Sequence, residues 1–547
     1  MFDPPGGAWL LPLFIAIILC LWLGSALSIS RLLRGEPDAR RVLWGLAAWS
    51  LALTAWRAPT PAHFYTPVSA TFPTNISKIG LGWPSLVAAL SHVLPRTDWI
   101  SFGAARLCGV LTGPVAYAAL RRLSVDRRAA VLGAALLVAL PFQIALATGD
   151  DAHPAALLLF LAGLSHFADY ARSERRGDFA LAAPCLILMV HTRLETAFLL
   201  LSILVLVARP RAFAALLRRD AHLHIAAGVA TAVFTRMAIA PDLQRCLPYP
   251  SGAALLREAV NAVTLFPAMG ERFTVDETVR GVVSNLDGVT FDKITWVPVV
   301  LLPLLWLGWG KVLTSEMGWR MLAAVLLARL PGYAYLGVDG TDYLGSRHFV
   351  GVLPLLCLVT AVGVVTIRDK LGLTSLPIML FAAHLFVVES LTPLRYRFAF
   401  QEEYASLRQA ITALPRGADV SDLQFEFGLA PAQSSLRLLR PDLQWVDFGR
   451  DDASDTRFAY VGPDCQALMD TNFEQAIDGY INRADRLALL RHLADRCRLF
   501  TSRPRGRVLW RGSVSRRGHG PPIDLGPRLP IVLVELASTR GTDAAAR

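Results

Sequence analysis

Apolar runs near twenty residues, repeated along most of a 547-residue chain, constrain this sequence more than any motif does. About 20 apolar residues are what an α-helix needs to cross the hydrocarbon core of a bilayer. The runs lie near 8–30, 42–56, 102–120, 129–148, 153–170, 179–191, 195–208, 222–240, 294–310, 319–337, 347–366 and 374–391. They predict an α-helical polytopic membrane protein of about twelve spans. Composition agrees: 54% of residues are hydrophobic, 18% are charged, and the mean hydropathy is +0.44. A soluble domain of this length carries more charge. The pair of runs across 179–208 is the least regular, because His191, Arg193 and Glu195 interrupt it.

The net charge of +11 then has a topological reading. "RLLRGEPDARR", "RRLSVDRR", "ARSERRGD", "RPRAFAALLRRDAH", "GKVLTSEMGWR" and "IRDK" hold most of the loop arginine and lysine. They follow alternate spans, beginning with the first. Basic loops stay cytoplasmic, so the pattern predicts both termini outside the cytoplasm, in a bacterial plasma (inner) membrane on its periplasmic side. The same pattern accounts for the basic residues without nucleic acid, for which no groove or motif is present. The N-terminal run has no basic residue before it and arginines after it. It therefore reads as a spanning helix with its N-terminus outside, not as a cleaved signal.

Residues 1–391 form the predicted transmembrane domain, with long outer loops at about 57–101 and 241–293. In the first, "GLGWPSLVAALSHVLP" is too short to span and reads as an amphipathic helix on or dipping into the membrane. Its aromatic residues Phe64, Tyr65, Phe72 and Trp83 read as interface anchors before they read as a sugar platform. From 392 the chain is polar. "EEYASLRQAITAL" has helical spacing, while "ADVSDLQFEFGL", "LQWVDFG", "RFAYVG" and "RVLWRG" have the look of strands or short sheet pieces. Residues 392–512 are expected to form a small extracytoplasmic α/β domain, and 513–547, rich in Gly, Pro and Arg, a flexible tail. Cys465 and Cys497 fall in this polar part and can pair if it faces an oxidising compartment, which spacing alone does not establish. No metal signature, P-loop or nucleophile elbow is present.

Polar residues near the spans gather at outer turns. "TGDDAHP" supplies Asp150, Asp151 and His153; "MVHTRLETAF" supplies His191, Arg193 and Glu195; "GVDGTDYLGSRHFVGVLP" supplies Asp342, Arg347 and His348. Charge at membrane depth is costly unless paired or wetted, so clusters on one side point to a polar cavity opening outward. Each has a plainer reading. Asp151 stands where it can cap a helix, and Arg193 and Glu195 can form an ion pair. Arg347 and His348 open a helix, where the dipole disfavours cations, which favours an anionic partner.

The stretch from "GWPSLVAALSHVLP" through "AARLCGVLTGPVAYAALRRLSVDRRAAVLGAALLVALPFQIALATGDDAHP", with "SRHFVGVLPLLCLVTAVG" later, resembles the GT-C membrane glycosyltransferases. The resemblance is to the polyprenyl- or dolichyl-phosphate-sugar group that includes protein mannosyltransferases, aminoarabinose transferases and rhizobial lipopolysaccharide transferases. It implies a sugar moved from a lipid-phosphate donor to an envelope glycan, lipid or protein acceptor on the outer face. It implies no cofactor beyond the donor and leaves a divalent metal open. In the family an acidic residue early in the first outer loop acts as base. Here "RAPTPAHFYTPVSATFPTNISKIGLGWPS" (57–85) holds no Asp or Glu; His63 is the group available there, and the next carboxylate is Asp98. The resemblance then assigns Asp150 or Asp151 as base and Arg347 to the phosphate, with Arg193 as helper and His63, His153, Glu195, Asp342 and His348 around the substrate. Two other readings remain: a non-catalytic scaffold binding a lipid-linked glycan or an envelope partner, which the missing carboxylate favours, and, behind it, a transporter.

Overall fold

The computed structural model describes residues 10–35, 39–55, 82–95, 97–149, 152–193, 199–207, 302–336, 351–372, 404–423, 439–446, 457–461, 505–514 and 529–536, with a few single positions elsewhere. The expected spans near 222–240 and 374–391 and the loop at 241–293 lie almost wholly outside these residues.

The membrane part is helical: α1 Leu10–Arg34, α2 Arg40–Ala55, α3 Gly82–Val93, α4 Trp99–Arg122, α5 Arg127–Ala139, α6 Pro141–Ala147, α7 His153–Ser173, α8 Arg176–Thr192, α9 Leu199–Val207, α10 Leu302–Val312, α11 Glu316–Leu336 and α12 Leu353–Leu371. Among the described residues, three helices are long and apolar enough to cross a membrane: Ile15–Arg34 of α1, α4 and α7. Large apolar side chains that face outward in a soluble fold would be unusual; here Leu23, Trp44, Leu107 and Trp306 are 60–80% exposed. The chain is an integral membrane protein, and these side chains are placed to meet lipid.

Local chemistry sets the helix ends. Asp126 accepts hydrogen bonds from the N–H groups of Arg128 and Ala129 and so caps α5. Ser124 and Glu174 take left-handed backbone conformations, φ 63° and 54°, that turn α4 into α5 and α7 into α8. The run at 129–148 was expected to be one span, but it divides. Leu140 is extended (ψ 133°) because the following Pro141 disfavours helical geometry before it, and Pro141 then opens α6.

Side-chain contacts give the bundle two distinct ends. Arg122 of α4 pairs with Asp169 of α7, and Arg172 also reaches Asp169 at 2.8 Å. Arg128 of α5 lies 3.7 Å from Asp369 of α12. Gly35, just past α1, sits against the Arg122 guanidinium. The ends of α1, α4, α7 and α12 and the starts of α5 and α8 therefore form one arginine-rich end. Midway, His166 Nε2 meets the Ser28 carbonyl at 3.1 Å and Cys185 donates to Ser28 Oγ at 3.4 Å, tying α7 and α8 to α1.

The polar part is a five-stranded mixed sheet: β1 Asp419–Leu423, β2 Gln444–Val446, β3 Phe458–Val461, β4 Arg505–Val514 and β5 Leu529–Leu536, in the order β2-β1-β3-β5-β4. β1 pairs in parallel with β2 and β3; β5 pairs antiparallel with β3 and β4. The expected flexible tail from 513 is corrected here: β5 lies inside the sheet, with Leu533 and Val534 buried. A helix over 404–412, α13, packs Tyr404, Leu407 and Ile411 onto Val420, Phe458 and Tyr460. Phe102 of α4 belongs to the same cluster and meets Tyr404 edge-on at 5.5 Å. The sheet's core is thus completed by a residue of the membrane bundle.

Candidate functional site

The end of the bundle opposite the arginines is built from the start of α3, the start of α4 and the end of α8. Trp22 of α1 donates through Nε1 to the Gly82 carbonyl at 3.0 Å, which fixes where α3 begins. Gly82 itself is pressed against α8. A Cβ there would lie 2.7 Å from Thr192 Oγ1, 2.8 Å from Thr192 N and 2.9 Å from the His191 carbonyl carbon. Glycine is required by this approach, since any side chain would displace the last turn of α8.

Around that contact the side chains are polar and buried. Trp83 is 0% exposed, Ser85 1%, His191 1% and Thr192 0%. Trp83 Nε1, Ser85 Oγ, both His191 ring nitrogens and Thr192 Oγ1 have no hydrogen-bond partner. The reading of Trp83 as an interface anchor is corrected by its burial: its ring lies among protein, not at the bilayer surface. Arg193 follows at the C-cap of α8, 5% exposed, in an extended conformation. Its carbonyl accepts from Thr196 Oγ1 at 2.6 Å and Thr196 N at 3.0 Å, which turns the chain away from the helix axis.

His153 is the first residue of α7, followed by Pro154, and is 3% exposed. The N-cap position of α7 falls on Ala152, so the expected capping position of Asp151 is displaced by one residue. The α7–α8 hairpin places His153 and Arg193 at the same end of the bundle. Asp150, Asp151, His63, Glu195, Asp342, Arg347 and His348 lie outside the described residues. Among the described residues, no three of His, Cys, Asp and Glu gather in a way that holds a metal ion.

Asp98 was the next carboxylate after the acid-free stretch. It is 1% exposed and fully engaged: Tyr404 Oη donates to Oδ2 at 2.8 Å, and Arg408 Nε donates to the same oxygen at 2.8 Å. Arg408 Nη2 reaches Oδ1 at 3.4 Å. A carboxylate held this way joins two parts of the chain and is not poised to take a proton from an acceptor hydroxyl. The sequence gives no sign of the contact, because its partners are more than 300 residues away. The α/β unit is therefore docked at the start of α4, at the polar end of the bundle. Sequence reasoning named His191 and Trp83 separately; what it missed is their meeting, with Ser85 and Thr192, as an unpaired set on α3 and α8. A lone Trp or His beside a span looks ordinary, and only burial without a partner marks it out.

No protein-family profile matches the sequence, and no curated protein matches it. Among solved structures the chain is similar to "Crystal Structure of ArnT from Cupriavidus metallidurans in the apo state". The alignment covers 92% of this chain and 98% of that one, with 12% sequence identity and a TM-score of 0.45.

Proposed function

We propose that this chain is a membrane glycosyltransferase of the GT-C type, which moves a sugar from a polyprenyl-phosphate donor to an envelope acceptor on the outer face. The observation that carries this reading is the concentration of buried, unpaired polar groups at the end of the bundle away from its arginines. Lipid offers nothing to satisfy such groups, so a bundle that keeps them is built to receive something polar there. The motif resemblance supplies the chemistry, and the α/β unit docks at the same end through Asp98.

The reaction is an inverting displacement. A carboxylate takes the acceptor's O–H proton, the oxygen attacks the anomeric carbon, and the bond from that carbon to the phosphate oxygen breaks. The leaving polyprenyl phosphate takes the electron pair and needs cationic neighbours as charge develops on it. Asp150 or Asp151 is the proposed base, because Asp98 is committed to Tyr404 and Arg408. Arg347 is the proposed phosphate contact, with Arg193 as its proposed helper. Asp342, His348, His63, His153 and Glu195 complete the proposed surroundings.

The double change Asp150→Asn with Asp151→Asn is expected to abolish sugar transfer from a panel of polyprenyl-phosphate sugars to envelope extract, at unchanged membrane yield. Full turnover by the double variant defeats the assignment. The acid-free stretch at 57–97 favours a second reading, a scaffold that binds a lipid-linked glycan without turning it over. That reading predicts saturable binding of the same donors with no transfer by the unaltered protein.

A further inference from the structure

Buried polar groups in folded proteins are nearly always paired, and each one left unpaired costs about 1–3 kcal/mol. The contact between α3 and α8 leaves five such atoms on four residues: Trp83 Nε1, Ser85 Oγ, His191 Nδ1 and Nε2, and Thr192 Oγ1. They come from two adjacent helix ends, since Gly82 brings the first turn of α3 against His191 and Thr192.

The hydrogen-bonding character of these atoms selects the ligand. The indole N–H only donates. A neutral imidazole donates from one nitrogen and accepts at the other. The two hydroxyls do either. A phosphate oxygen only accepts, so phosphate would leave the imidazole acceptor unpaired, and none of the four side chains is an obligate cation to balance its charge. A carboxylate fails for the same reasons. A sugar hydroxyl donates once and accepts twice, which suits every atom in the set. We propose that the junction of α3 and α8 is the subsite for the glycosyl group of the lipid-linked donor, read by Trp83, Ser85, His191 and Thr192. This rests on the donor assignment above and adds which part of the donor these residues recognise.

The test uses the full chain in nanodiscs. Binding is measured for polyprenyl phosphate alone and for polyprenyl phosphate carrying mannose, glucose or aminoarabinose. The unaltered protein is compared with Thr192→Val, Ser85→Ala and His191→Phe. Thr192→Val and Ser85→Ala remove hydroxyls that have no partner to lose, so the apparent melting temperature of the free protein is expected to hold or rise. At least one glycosylated carrier is expected to bind more tightly than the bare carrier. Each variant is expected to weaken that carrier about fivefold to tenfold while leaving the bare carrier unchanged, as the loss of single hydrogen bonds requires. Equal binding of bare and glycosylated carriers by the unaltered protein overturns the subsite and spares the donor-lipid reading. Unchanged affinity in all three variants does the same and assigns the junction to water. Failure of the unaltered protein to bind any carrier overturns the donor reading itself.

Discussion

Arg440 shows how a single residue finishes an element that the chain leaves open. The last carbonyls of a helix have no N–H to meet. Arg440 donates to the carbonyls of Ile411 at 2.7 Å, Leu414 at 3.3 Å and Pro415 at 3.0 Å, closing the end of α13. Its other donors hold Asp442 with two contacts at 2.8 Å, and the Gly417 N–H adds a third at 3.0 Å. The Arg440 hydrogen bonds, then the Gly417 N–H, keep the Asp442 carboxyl well below the usual carboxylate range. A group whose folded pKa is depressed stabilises the fold above its unfolded pKa and loses that effect as pH falls. The unfolded value for an aspartate is about 3.9. Asp442→Asn is therefore expected to lower the melting temperature of the detergent-solubilised protein at pH 7. The gap to the unaltered protein should close progressively as pH falls below about 4. A gap that stays constant across that window would mean the side chain matters by shape and not by charge.

At the scale of elements, close approach is what glycine positions decide. Gly308 of α10 and Gly363 of α12 face each other's backbones: a Cβ on Gly363 would overlap the Leu304 carbonyl oxygen, and one on Gly308 the Val359 carbonyl. Small residues at such a crossing let two helices pack with nothing between them. Gly363→Ala is expected to cost about 1–3 kcal/mol by forcing the pair apart, read as a fall in melting temperature. Gly45→Ala in α2, where nothing lies within 4 Å, should hold or raise it, because alanine favours helix. Equal effects at both positions would deny the crossing its role. The helices themselves were legible wherever apolar length and flanking arginines agreed, as for α1, α4 and α7. The break at Pro141 was missed because the apolar run continues straight through it, and hydropathy does not register a backbone constraint. β5 was missed for the converse reason: "LPIVLVEL" is a clear strand, but Gly, Pro and Arg around it dominate the average over the tail. In the candidate site, sequence reasoning marked His153, His191 and Arg193 near the ends of α7 and α8, but not the unpaired junction. Which polar atoms lack partners depends on packing between α3 and α8, about a hundred residues apart in the chain.

The whole molecule is organised by a difference between its ends. One end carries arginines on α1, α4, α5, α7, α8 and α12. The other carries the unpaired junction and the docked α/β unit. Asp98 and Phe102 at the start of α4 make that docking: a buried carboxylate under Arg408 and Tyr404, and an aromatic ring shared with the sheet's core. Arg408→Ala should cost about 1–3 kcal/mol, because it leaves the buried carboxylate with Tyr404 alone. Limited proteolysis should then release the α/β unit faster, while the membrane bundle survives. Cys497 gives an independent handle on which side this end faces. It is disulfide-bonded, and disulfides persist in oxidising compartments. If the arginine-rich end is cytoplasmic, Cys497 lies outside. A membrane-impermeant maleimide should then leave Cys497 untouched on intact cells and label it once an impermeant reductant has been added, without permeabilisation. Cys497→Ser leaves the partner thiol free, so labelling of intact cells should no longer need the reductant. Labelling that requires permeabilised cells would invert the molecule. The junction of α3 and α8 would then face the cytoplasm, and an outer-face donor would have no route to it.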